Sequence, residues 1–153
     1  MVTFTRRRYS LLIPINNQLT AHFVENNVYS EAIYSPCKNY RYSLSRTQLK
    51  AKKFILFILL NPSTATEFKN DPTIARCQKR SQLLGYEAFT ICNLFAFRTK
   101  SPKIMKNFSE PIGPENNRII NEILNKASKV ICAWGNHGTH LNQADRITKI
   151  IKN

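Results

Sequence analysis

Phe54-Ile55-Leu56-Phe57-Ile58-Leu59-Leu60, followed at once by Asn61-Pro62-Ser63-Thr64, is the stretch on which the fold turns. An apolar run without alternation describes a strand buried on both faces, as inside a parallel sheet. Proline cannot continue a central strand, so the ladder ends there and a polar loop begins. Open α/β sheets place their ligands at the carboxyl ends of such strands.

Downstream of this strand the pattern is regular. Asp71-Pro72 starts a helix, with Asp as cap and Pro at the first position, and Gly85 ends it. Ile74, Ala75, Leu83 and Leu84 are its expected apolar residues. Tyr86 to Cys92 reads as a second strand, followed by a basic linker containing Pro102. Pro111-Ile112-Gly113-Pro114 opens another helix, in which Ile119, Ile120, Ile123, Leu124 and Ala127 share one face. Val130 to Trp134 is a third strand, and a last helix carries Leu141, Ala144, Ile147, Ile150 and Ile151. Alternating strands and helices predict a three-layer α/β domain with a mainly parallel central sheet. The domain spans residues 36–153, after an N-terminal extension over 1–35 whose structure the sequence leaves open. Tyr40-Arg41-Tyr42-Ser43-Leu44-Ser45 alternates like an edge strand paired with something earlier, and residues 1–35 give two or three weaker strand signals, including Tyr9 to Ile15.

Composition narrows the class. The chain has 153 residues, 42% hydrophobic, enough for one domain with a real core. No apolar run approaches the roughly 18 residues of a membrane span, so a soluble, cytoplasmic protein is expected. Cys37, Cys77, Cys92 and Cys132 form no C-x-x-C pair and are expected to be reduced, three of them buried, with no metal site. The net charge is +14, split evenly: residues 1–53 hold nine basic and two acidic residues, and residues 54–153 hold fourteen and seven. Such an excess suits a polyanionic partner, DNA or RNA, or equally reflects a Lys-rich composition without a binding stripe.

The three internal strands end in polar loops on one sheet edge, which defines the candidate site. The first loop supplies Asn61, Pro62, Ser63 and Thr64, the second Asn93, Arg98 and Thr99, and the third Asn136, His137 and His140. Asp71 opens a helix whose N-terminus suits a phosphate. Each residue also has a plain structural role: Asn61 and Asn93 as turn residues, Arg98 as a solvated cation, Trp134 as core. Phosphate-cradling loops, dinucleotide fingerprints and nucleophile elbows are absent from the sequence, and no cofactor is implied. Cys132 with the histidines suggests a thiol nucleophile, but its mid-strand position predicts burial.

The segments YRYSLSR (40–46), LLNPSTA (59–65), NDPTIARC (70–77), NLFAFRTKSP (93–102), PIGPENNR (111–118) and AWGNHG (133–138) together resemble a bacterial family known as domain of unknown function 1643, over about residues 30–140. A strand ending in Asn-Pro and a small residue also resembles the first motif of mismatch-specific uracil-DNA glycosylases. TICNLFAFRTKSP and VICAWGNHG resemble two later segments of those enzymes. That second resemblance implies a uracil-DNA-glycosylase-like fold binding a nucleobase or nucleic acid at the strand ends. Asn61 would orient the water attacking the glycosidic carbon, and Asn93 would read the edge of an extruded base. The Pro62-Ser63 backbone would lie against sugar or phosphate, and Arg98 would hold flanking phosphates. Such enzymes carry a further strand and a His/Asn-Pro-Ser loop, whereas this sequence ends at Asn153, so the resemblance implies a missing last strand and impaired turnover. The alternatives are a non-enzymatic nucleic-acid-binding module and an enzyme acting on a small nucleotide or phosphorylated metabolite. Oligomeric state is not legible.

Overall fold

A computed structural model describes residues 18–153; the Tyr9 to Ile15 strand signal lies outside them. The described residues open with a hairpin, β1 (Leu19–Glu25) and β2 (Val28–Tyr34), then β3 (Arg41–Gln48) and β4 (Ile55–Leu59). Next come α1 (Pro72–Leu83), β5 (Ala88–Asn93), α2 (Pro102–Asn107) and α3 (Asn116–Leu124). Strand β6 (Lys129–Cys132), a kinked 3₁₀ segment (Asn136–Asn142) and α4 (Gln143–Lys152) complete it.

All six strands form one sheet in the order β1-β2-β3-β5-β4-β6. Among the described residues only β4 pairs in parallel, with β5 and β6; the other three ladders are antiparallel. The sheet is therefore mixed rather than mainly parallel. The reason lies in residues 19–34, which add a hairpin and bring β3 in antiparallel to β5. Asn26 and Asn27 make the hairpin turn with φ of 50° and 63°, the left-handed backbone of a tight two-residue turn. β3 is thus central, with β2 on one side and β5 on the other, not the edge strand its alternation predicted. It does pair with an earlier strand, as expected.

Helices cover both faces. Ile55, Phe57, Leu59, Phe89 and Ile91 pack with Ile74 and Cys77 of α1. Leu56, Ile58 and Cys92 pack on the other face with Ile119, Ile120 and Ile123 of α3 and Ile147 of α4. This double burial is why β4 shows no alternation. In α1 the buried stripe is Ile74, Cys77 and Ser81, while Ala75, Leu83 and Leu84 point to solvent. Cys77 and Cys92 are buried, but Cys132 is exposed, because β6 is a sheet edge among the described residues. No helix among the described residues is long and apolar enough to cross a membrane.

One irregularity matters for the site. Ile33 pairs with Ser43, yet the next residue, Tyr34, pairs with Arg41. One residue of β2 thus opposes two of β3, a bulge that reverses the facing of everything before it. Leu44 and Arg46 lie opposite Ile91 and Phe89, on the α1 face. Regular alternation would send Arg41 to the opposite face. The bulge instead returns it to the α1 side, beside Tyr34, which packs in the α1-side core.

Candidate functional site at the strand ends

The loops after β4 and β5 are joined by short bonds. Thr99 N donates to Pro62 O at 2.9 Å, and Asn61 Nδ2 donates to Thr99 O at 2.7 Å and to Pro62 O at 3.2 Å. With its amide nitrogen so engaged, the half-buried Asn61 has one orientation. Its Oδ1 makes no hydrogen bond and is not sealed from solvent, so it is an outward-facing acceptor. Pro62 is buried beneath the loop, whereas Ser63 is half-buried and Thr64 exposed. Thr99 Oγ1 accepts from Ser101 N at 3.2 Å, and the Ser101 side chain in turn caps α2.

Asn93 closes β5 opposite Leu59 of β4, and it is 1% exposed. Its backbone is held from behind. Asn116 Nδ2 donates to Asn93 O at 2.8 Å and to Leu94 O at 3.1 Å, and Gln143 Nε2 reaches Leu94 O at 3.1 Å. The Asn93 side chain projects to the α1 side, and its Nδ2 is sealed with no acceptor.

Three arginines converge on the same side. Arg46 Nη2 donates to Thr66 O at 2.6 Å and Asn70 Oδ1 at 3.0 Å, and its Nη1 to Ser45 O at 3.1 Å. Arg41, 1% exposed, has one bond, from Nη1 to Ala65 O at 2.8 Å, and its Nε is sealed without a partner. Arg98 donates from Nη1 to Lys38 O at 3.1 Å, and its Cζ lies 5.0 Å from the centroid of the Tyr34 ring. Its Nε also lacks an acceptor. Burial draws the Arg41 guanidinium down to about 10, still charged at neutral pH. Burial and the Glu67 hydrogen bond push the Tyr34 phenol up to about 12.

Two carboxylates lie nearby, and both are committed. Asp71 caps α1, accepting from Ile74 N at 2.9 Å, and its second oxygen takes Ala65 N at 3.3 Å. Tyr34 OH donates to Glu67 Oε2 at 2.8 Å. Neither forms an ion pair with Arg41, Arg46 or Arg98 within 4.0 Å. The Ala65 peptide is thus held at its carbonyl by Arg41 and at its N–H by Asp71. The start of α1 is filled by its own carboxylate.

The third loop begins beside the other two, with Ala133 N donating to Ile58 O at 2.8 Å. Asn136 and His137 are exposed, and no hydrogen bond joins either side chain to Asn61, Asn93 or Arg98. His140 instead packs near Phe95, with ring centroids 5.5 Å apart, and half-buried Trp134 belongs to the core. Burial pushes the thiols of Cys77 and Cys92 up to about 11 and 12, so both stay protonated at neutral pH. The Cys132 thiol is also raised by partial burial, despite the exposure of the residue. Among the described residues no group of three or more His, Cys, Asp or Glu side chains could hold a metal.

Sequence reasoning passed over Arg41, Arg46 and Tyr34. The available signal was two arginines within an otherwise strand-like segment, where a buried charge demands an acceptor.

A mixed six-stranded α/β domain with a cationic, donor-rich corner at the ends of β4 and β5 is the class that fold and site define. Within that class the chain belongs to the family described as "Protein of unknown function (DUF1643)", whose model matches residues 41–153. The match begins at Arg41 and spans β3 to α4, so it contains every residue of this corner except Tyr34. No match is found among curated proteins or among solved structures.

Proposed function

We propose that this domain binds a nucleobase-containing ligand at the carboxyl ends of β4 and β5, in the manner of a uracil-DNA-glycosylase-like protein. The observation that carries the reading is the fixed amide of Asn61, whose nitrogen is held by Thr99 O and Pro62 O while Oδ1 faces outward. An oriented amide oxygen is a poor base but a good acceptor. It can align a water for attack on an anomeric carbon, with the glycosidic C–N bond breaking as the C–O bond forms. The proton released by the water then ends on the departing base or in solvent. Arg98, at the mouth of the corner, would hold an adjoining phosphate. The net charge of +14 favours a nucleic acid as the carrier of that base.

The test is a gel assay on single- and double-stranded oligonucleotides bearing uracil, hypoxanthine or mismatches, scored for abasic sites and for retention. Cleavage by the wild type that drops about 10²-fold or more in Asn61→Ala supports the enzyme. Retention without cleavage, unchanged by Asn61→Ala and steeply salt-dependent, supports a binding module instead. A second reading, an enzyme for a small nucleotide, is favoured by the burial of Arg41, which a wide nucleic-acid groove would not require. Neither cleavage nor retention at low salt would leave that reading alone.

A further inference from the structure

Three sealed N–H donors at one corner lack acceptors: Arg41 Nε, Asn93 Nδ2 and Arg98 Nε. Their proximity follows from the pairing. Arg41 is the register partner of Tyr34, Arg98 lies over the Tyr34 ring, and Arg41 N bonds Ala96 O three residues beyond Asn93. Buried polar groups in folded proteins are almost always paired, so each orphan calls for an explanation. The unmatched groups here are all donors, and two of them belong to guanidinium groups. Both neighbouring carboxylates, Asp71 and Glu67, accept from other groups. Residues 1–17 contain no Asp or Glu, so no side-chain carboxylate from that segment pairs with these arginines.

The geometry points to a phosphomonoester pocket, in which the terminal phosphoryl group of a small nucleotide accepts from Arg41, Asn93 and Arg98. Guanidinium groups match oxyanions better than any other side chain, because their N–H donors lie in one rigid plane. Asn93 supplies a neutral donor whose position is set by Asn116 behind it. The assignment gives the Asn93 amide to an oxyanion instead of a base edge. It also selects a terminal phosphate over a backbone phosphodiester. A terminal phosphate presents three free oxygens to the three donors, where a phosphodiester presents two. Half-buried Arg98, stacked on Tyr34, is the rim of the pocket. This inference rests on the reading above that the strand ends hold a nucleotide, and it adds where the phosphate goes.

The experiment is calorimetric titration of the full chain at low ionic strength with four probes: inorganic phosphate, a 5′-mononucleotide, the matching nucleoside, and a short oligonucleotide with or without a 5′-phosphate. The mononucleotide is expected to bind at least about tenfold tighter than the nucleoside, with inorganic phosphate competing. Arg41→Met should erase that advantage. Because Arg41→Met also loses the bond to Ala65 O, a second variant guards the test. Asn93→Asp places a carboxylate among the orphan donors, and should raise the melting temperature without ligand while abolishing the response to phosphate. Equal binding of nucleoside and mononucleotide would overturn the pocket while leaving a base-binding site intact. Binding of neither overturns both readings. An oligonucleotide lacking the 5′-phosphate that binds with the same Arg41 dependence would reassign the corner to a backbone phosphodiester.

Discussion

The two ends of β3 each carry an arginine to the α1 face and into the loop after β4, with different outcomes. Arg46 reaches three acceptors, Ser45 O, Thr66 O and Asn70 Oδ1, and leaves no sealed donor unpaired. Arg41 holds only Ala65 O and leaves Nε unmatched, although it is the more deeply buried of the two, at 1% against 7% exposure. One loop therefore receives a complete staple and an incomplete one, both from the same strand. Arg46 accounts for itself as architecture. Arg41 does not, because a buried cation without a full set of acceptors costs stability that packing alone would not maintain.

The comparison breaks first if the two arginines prove energetically alike. Arg46→Ala removes donors from Thr66 O and Asn70 and should lower the unfolding free energy by about 2–4 kcal/mol, seen as a lower urea midpoint. Arg41→Met should change it by no more than about 1 kcal/mol in phosphate-free buffer, because removing an ill-paired buried charge offsets the lost bond. A loss at Arg41 as large as that at Arg46 would make both structural. Asn116 sharpens the contrast from the other face of β5. Asn116→Ala leaves the Asn93 carbonyl without its donor and should cost about 1–3 kcal/mol. The same variant should weaken binding of any probe that depends on Asn93, since that residue is positioned through its backbone. Unchanged stability would show that Gln143, which also reaches Leu94 O, suffices to hold the strand end.

The sequence made the central region legible because local and tertiary signals agree there. The uninterrupted run at 54–60 became β4 over Ile55–Leu59, and Asp71-Pro72 became a capped helix start. The stretch after Asn93, read as a basic linker, holds α2, whose Ser101 cap and Pro102 at the first turn give the same signature in a shorter helix. Residues 19–34 gave only weak strand signals: among the described residues β1 is largely exposed at the sheet edge, so it lacks the apolar pattern that identifies a buried strand. The Asn26-Asn27 pair was the signal that would have found the hairpin. Of the site, the loop residues Asn61, Asn93, Arg98 and Thr99 were legible from their places after strands. Arg41 was not, because its facing depends on a bulge that alternation cannot show. Asn136 and His137 share the edge but not the corner.

A buried acid on the opposite face gives the comparison its last and smallest test. Glu31 is 4% exposed and pairs in register with Ser45, so it points away from the three arginines that would neutralise it. Its neighbours are Tyr29, whose hydroxyl donates at 3.2 Å, and the exposed His22, with Nδ1 at 3.4 Å. Burial raises its carboxyl above 4.5, with the Tyr29 bond opposing. A carboxyl raised in the folded state favours the protonated form there. Its contribution to stability is therefore fully present below 4.5 and is lost as pH rises through the folded value. At neutral pH the ionised, buried Glu31 is a net cost, and Glu31→Gln should stabilise the protein by roughly 0.5–1 kcal/mol. The difference between variant and wild type should shrink as pH falls towards 4.5, because the wild-type carboxyl then takes up its proton on folding. A variant less stable than the wild type at neutral pH would instead mean that Tyr29 and His22 satisfy the ionised Glu31. The acid on that face would then be satisfied, and Arg41 would stand alone as the buried charge awaiting a partner.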